Sequence, residues 1–183
     1  MEKFRNKWIL IDTNLLIELS RDVNSGFFDV FLSDLQKFDI QPVVEQSVLF
    51  EYRRGSRTPR NLSLKNEFLS MLIGDSSGNV SSKNFSNLPI RIEDAEKLAI
   101  LYSHKDVNLS RISFIDCLVA AQLKQYKDNM CLATLDHSDF PDFVFDRYKI
   151  YTIDTGKKII NIGIYVFNQE KYEELQSDFE GIS

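Results

Sequence analysis

Four consecutive apolar residues, Trp8, Ile9, Leu10 and Ile11, run directly into Asp12. A run this short, apolar on both faces and cut off by a carboxylate, suits a buried strand in the middle of a sheet. Residues 131–135 repeat the pattern and end at Asp136. A chain that twice ends an apolar strand on an acid constrains its fold strongly. Such strands need helices on their faces, and in open α/β sheets the carboxyl ends of the strands are where ligands sit.

The intervening sequence supplies the helices. Apolar spacing predicts helices over residues 14–19, with Thr13 or Asn14 able to cap, and over 27–35, where Phe27, Phe28, Phe31, Leu32 and Leu35 recur. It predicts further helices over 47–54, 65–73, 92–104, 112–125 and 169–175. Short strands are expected over 40–44, with Pro42 placing that one near an edge, and over 149–153. Residues 159–167 are apolar and β-branched. Gly55 to Arg60 is a break, and 74–87, rich in Ser, Asn and Gly, reads as a loop. Strands alternating with helices predict an α/β fold, a three-layer sandwich with a central parallel sheet. Residues 1–155 form the expected main domain, and 156–183 a strand-and-helix extension packed on it.

With 183 residues, 43% of them hydrophobic, the chain is long enough to bury a real core. Its net charge of −5 argues against a passive nucleic-acid coating protein, which would carry a basic surface. No stretch reaches the ~18 apolar residues of a membrane span, and the first residues do not read as a signal peptide. Cys117 and Cys131 lie in apolar stretches and read as buried thiols in a reducing, cytoplasmic setting.

Asp116 lies early in one apolar helix and Glu51 in another, among Val48, Leu49 and Tyr52. A carboxylate beside an apolar stripe is costly unless paired, hydrogen-bonded or metal-bound. Each acid also has a plain structural reading. Asp12 can be a helix cap and Asp116 a first-turn charge. Glu51 can lie on a solvated face beside Arg54, and Asp136 and Asp139 can serve the turn before Pro141. Arg53, Arg54, Arg57 and Arg60 form the densest positive cluster, readable equally as a solvated loop or as a phosphate-gripping edge. Two histidines and two cysteines match no zinc motif, and no GxSxG, P-loop or GxGxxG is present.

In order, the segments Ile9-Leu10-Ile11-Asp12-Thr13-Asn14, Ser47-Val48-Leu49-Phe50-Glu51-Tyr52, Ser113-Phe114-Ile115-Asp116-Cys117-Leu118 and Leu132-Ala133-Thr134-Leu135-Asp136 resemble the four acidic motifs of PIN-domain proteins. The resemblance runs from Trp8 to about Ile153. It implies a metal-dependent nuclease, usually acting on RNA, of which the toxins of toxin–antitoxin pairs are the largest group. It implies Asp12, Asp116 and Asp136 holding Mg2+ or Mn2+, with Glu51 completing the acidic cluster. Thr13 would orient the acids, Asp139 would be an additional acid, and water would attack phosphorus in line. An antitoxin would be a partner on the same ground, and a homodimer is expected partly from the resemblance and partly from the Phe-rich helix between Phe27 and Leu35. The chain is longer than compact PIN toxins, around 55–87 and after Thr155. Two other readings stay open. A haloacid-dehalogenase-like phosphatase also starts from an Asp after an apolar strand, but it wants a second Asp where Asn14 stands. A PIN-like interaction module without activity would tend to have lost its acids.

Overall fold

The computed structural model of the chain describes residues 1–21, 25–73, 92–105 and 112–181; the loop expected over 74–87 lies outside the described residues. The strands are β1 (Trp8–Ile11), β2 (Gln41–Val43), β3 (Met130–Thr134), β4 (Phe145–Asp154) and β5 (Ile159–Phe167). The α-helices are α1 (Thr13–Arg21), α2 (Asp29–Lys37), α3 (Gln46–Arg54), α4 (Pro59–Ile73), α5 (Ile92–His104), α6 (Phe114–Tyr126) and α7 (Gln169–Glu180).

The five strands form one sheet in the order β2-β1-β3-β5-β4. β1 runs parallel to β2 and to β3, each pairing bridged by helices that return the chain to the same end of the sheet. The expectation of a purely parallel sheet needs correction, because β5 is antiparallel to both β3 and β4. The reason is local. β4 and β5 are joined by the tight turn at Thr155 to Lys158, with Gly156 at φ 73°, and strands joined by so short a turn can only run antiparallel. β5 also lies inside the sheet, between β3 and β4, so the residues after Thr155 complete the sheet.

β1 and β3 are the buried centre. Ile9, Leu10, Ile11 and all five residues of β3 are inaccessible, as the two-faced apolar runs require. α6 packs on β3 and β5, with Leu118, Val119, Ala120, Ala121 and Leu123 buried, and α5 and α3 pack against α6. α4 starts earlier than the spacing suggested: Pro59 opens it, a position where its missing N–H costs nothing. Cys117 and Cys131 are both free and buried. Among the described residues no helix is long and apolar enough to cross a membrane.

Candidate active site

Because β1 and β3 run parallel and side by side, Ile11 stands opposite Ala133. The residues that follow, Asp12 and Thr134 to Asp136, are therefore brought together at the carboxyl end of the sheet. The Asp12 N–H donates to the Ala133 carbonyl at 3.1 Å, and the Asp12 carbonyl accepts from Leu16 N–H, so Asp12 is the hinge between β1 and α1. Its side chain is only 4% exposed. One oxygen accepts the Thr13 N–H at 2.6 Å and the other the Thr134 hydroxyl at 2.7 Å.

Thr134 was not singled out in the sequence, yet it joins two of the acids. It is fully buried at the end of β3; its hydroxyl donates to Asp12, and the same oxygen accepts the Asp136 N–H at 2.9 Å. A buried threonine ending an apolar strand two residues before an acid is the signal that could have found it. Thr13 makes a second link. Its backbone N–H holds Asp12, and its buried hydroxyl donates to Glu51 Oε2 at 2.6 Å. α3, which carries Glu51, packs against α1. It is started by Glu45, a buried acid that caps it through the Ser47 N–H at 2.7 Å.

Asp116 arrives on α6. Ser113 caps that helix, and the Asp116 carboxylate turns back to accept the Ser113 N–H at 2.7 Å while the Ser113 hydroxyl accepts the Asp116 N–H. Asp136 accepts the Ser138 hydroxyl at 2.8 Å and sits beside a shallow depression of about 370 Å3 formed by Asn14, Ile17, Glu18, Arg21 and Leu135. Asp139 is 6% exposed and shares the Ser138 hydroxyl at 3.1 Å. The plain structural roles of these acids are thus real. Asp116 spends one oxygen on a capping box and Asp136 spends one on its turn. Their other oxygens are those that can meet a ligand.

The acids are close enough to act on one another. Burial pushes the Asp12 carboxyl up to about 6, with the charges of Asp116 and Glu51 adding to the rise and the Thr134 and Thr13 hydrogen bonds opposing it. Burial also raises Asp116, helped by Asp136 and Glu51 against the Ser113 bonds. Asp139 is pushed to about 7 by burial and then by Asp116 and Asp136. Asp12, Glu51, Asp116, Asp136 and Asp139 therefore form one electrostatic unit, short of positive charge. Arg54 stands 3.6 Å from Glu51 and is largely solvated.

The arginines separate on inspection. Arg53 is half-buried and its Nε donates to Asn66 Oδ1 at 3.0 Å, which ties α3 to α4. Arg54, Arg57 and Arg60 are exposed. His137 follows Asp136, and its Nδ1 lies 2.8 Å from the Tyr165 hydroxyl. Both rings fill the space over Gly163, where a Cβ would come within 2.5 Å of Tyr165 Cε2 and 2.8 Å of His137. This glycine, opposite Thr134 in the sheet, lets the two rings reach the acidic end.

A divalent cation fits this donor set in one respect and not in another. The oxygens are all hard, and their proton affinities are raised first by burial and then by one another's charge, both of which a cation would offset. Among the described residues, however, no three His, Cys, Asp or Glu side chains are gathered into a ready-made metal cage. An ion that keeps much of its water, held from one side, suits such a site better than one enclosed by protein. A groove of about 700 Å3 lies elsewhere, lined by Leu32, Ile40, Phe68 and Leu72 near the opposite ends of β1 and β2. It holds no comparable cluster of acids.

In comparisons with known proteins, no family model matches the chain, and no curated protein and no solved structure is significantly similar to it.

Proposed function

We propose that the chain is a metal-dependent phosphodiesterase that cleaves RNA at this acidic site. The observation that carries the reading is that Asp12 and Asp136 follow the ends of two parallel central strands and are joined through Thr134, with Glu51 tied to the same place through Thr13 and the charges of Asp116 and Asp139 felt there. Proteins do not assemble uncompensated acids in a half-buried cleft without cost, and a hard cation offsets it. Asp12, Asp116 and Asp136 would hold Mg2+ or Mn2+, partly through water. When bound, the ion supplies charge neutralisation for the phosphate and activation of water.

The chain's own residues divide the remaining work. Thr134 fixes Asp12 and Asp136 relative to each other, and Thr13 fixes Glu51 relative to Asp12. Ser113 holds Asp116. Arg54, Arg57 and Arg60 stand at the end of the helix that carries Glu51, where flanking phosphates need cations. In this reading the helices flank the mixed sheet as a three-layer, PIN-like sandwich.

The test is Mn2+- or Mg2+-dependent cleavage of RNA by the purified chain. Cleavage is expected with metal, and loss with EDTA or with Asp12→Asn. Absence of metal-dependent cleavage of any RNA, with turnover of small phosphate esters instead, would move the site to phosphatase chemistry.

A further inference from the structure

Asn14, Ile17, Glu18 and Arg21 recur along α1 at the spacing of a single helix stripe. With Leu135 and Asp136, which follow β3, they line the shallow depression of about 370 Å3, so Arg21 and Asp136 border the same space. Glu18 organises its wall. The Glu18 side chain is 12% exposed, and each of its oxygens holds a cation: Oε1 accepts from Arg21 at 3.1 Å and Oε2 from Lys158 at 2.8 Å. Lys158 comes from the β4–β5 turn, 140 residues along the chain. The charge of Arg21 is also felt at Lys65 of α4.

A Glu–Arg pair one turn apart on a helix is ordinary and worth little. Lys158 makes this pair different, because a second cation is brought from another element to the same half-buried carboxylate. The trio of Glu18, Arg21 and Lys158 carries a net positive charge. A guanidinium has five N–H donors and an ammonium three, and Glu18 takes one from each. The remaining donors are free on heads that Glu18 keeps in place, both of them more than half exposed. Two cations held ready with spare donors suit the oxygens of a phosphate group. Arg54, Arg57 and Arg60 do not line this depression.

We propose that the depression is a phosphate subsite, in which Arg21 and Lys158 grip the anion and Glu18 holds both cations for it. It seats a phosphate neighbouring the one that meets the acids. The group recognised is the phosphate itself, carried either within a nucleotide strand or at its end. This rests on the phosphodiesterase reading of the site.

The experiment measures fluorescence anisotropy of a short labelled oligonucleotide, with and without a 5′-phosphate, in the Asp12→Asn background with Mg2+ across a salt series. Arg21→Ala and Lys158→Ala should each weaken binding roughly five- to fiftyfold at low salt, the scale of a solvated charge-assisted hydrogen bond. The double variant should flatten the salt dependence by about 0.7 in slope, the value for one phosphate of a single strand. An effect on both oligonucleotides assigns the subsite to a backbone phosphate, and an effect on the 5′-phosphorylated one alone assigns it to a chain end. Glu18→Gln removes a negative charge and would tighten binding if net charge alone acted; it should weaken binding, because both cations lose their anchor. Lys97→Ala, which removes a cation from the exposed side of α5, should leave affinity unchanged. Melting curves of the variants show that fold is retained. Unchanged affinity in both single alanine variants, an equal loss with Lys97→Ala, or tighter binding by Glu18→Gln overturns the proposal. Binding needs no turnover, so the two readings fail separately. Wild-type cleavage with Arg21 and Lys158 variants that bind normally removes only the subsite, whereas variant-sensitive binding without wild-type cleavage removes only the phosphodiesterase.

Discussion

Replacing Asp12 by Asn should make the metal-free protein more stable at neutral pH, although Asp12 is the centre of the site. The Asp12 carboxyl rises from its ordinary 3.8 to about 6, so the folded state holds its proton more tightly than the unfolded chain does. A raised acid binds more protons when folded. Its penalty is absent below about pH 4, grows as pH rises, and is complete above about pH 6. Each tenfold change in proton affinity is worth about 1.4 kcal/mol, so the full penalty is about 3 kcal/mol. Asparagine is neutral, keeps an oxygen for the Thr13 N–H and presents its amide to Thr134 Oγ1. In EDTA at about pH 8 the variant should melt roughly 6–12 °C above the wild type, with the gap closing toward pH 4. Thermal melts across that range read the effect directly. A variant that is no more stable than the wild type at pH 8, with an unchanged pH slope, would show that Asp12 carries no such penalty and that the cleft is better compensated than its geometry indicates.

Divalent metal should close most of that gap. Mn2+ at about a hundred times its dissociation constant would stabilise the wild type by about 2.7 kcal/mol and leave Asp12→Asn nearly unmoved, a difference that calorimetry or melting with titrated metal measures; equal stabilisation of both would place the ion elsewhere. Gly163→Ala should cost about 1–3 kcal/mol, since its methyl would meet Tyr165 and His137 within 2.8 Å. The same change should reduce metal-dependent cleavage by displacing His137 and hence Asp136. Denaturant melts beside rate measurements check both, and a variant with wild-type stability and rate would remove the ring pair from the support of the site.

The central strands were legible in the sequence because both their faces are buried, which leaves an uninterrupted apolar run ended by a polar group. The orientation of β5 was not. An apolar run such as 159–167 reads the same whether its neighbours are parallel or antiparallel. What decides is the four-residue turn at 155–158, a tight connection that leaves no room for a crossover. The strand expected over 149–153 is shorter than β4, because the polar Asp146, Arg147 and Tyr148 precede it and hide its first half.

At the site, sequence could pick out acids but not what joins them. Asp12 and Asp136 stood out because each ends an apolar strand, and the parallel register of β1 and β3 then makes them neighbours. Thr134 looked like one more β-branched residue in a strand, yet its hydroxyl bridges those two acids. Its role depends on register, a property of two strands more than 120 residues apart. Thr134 also explains why a ligand would have to reach Asp12 at cost: both carboxylate oxygens are already hydrogen-bonded from the protein side, by Thr13 and Thr134. A cation arriving there would use the remaining lone pairs of oxygens that cannot rotate away. The hydroxyl and amide that raise the packing demand on Asp12 therefore also pre-orient it, so the cost of holding the carboxylate in place is met in folding, before any ion or phosphate binds.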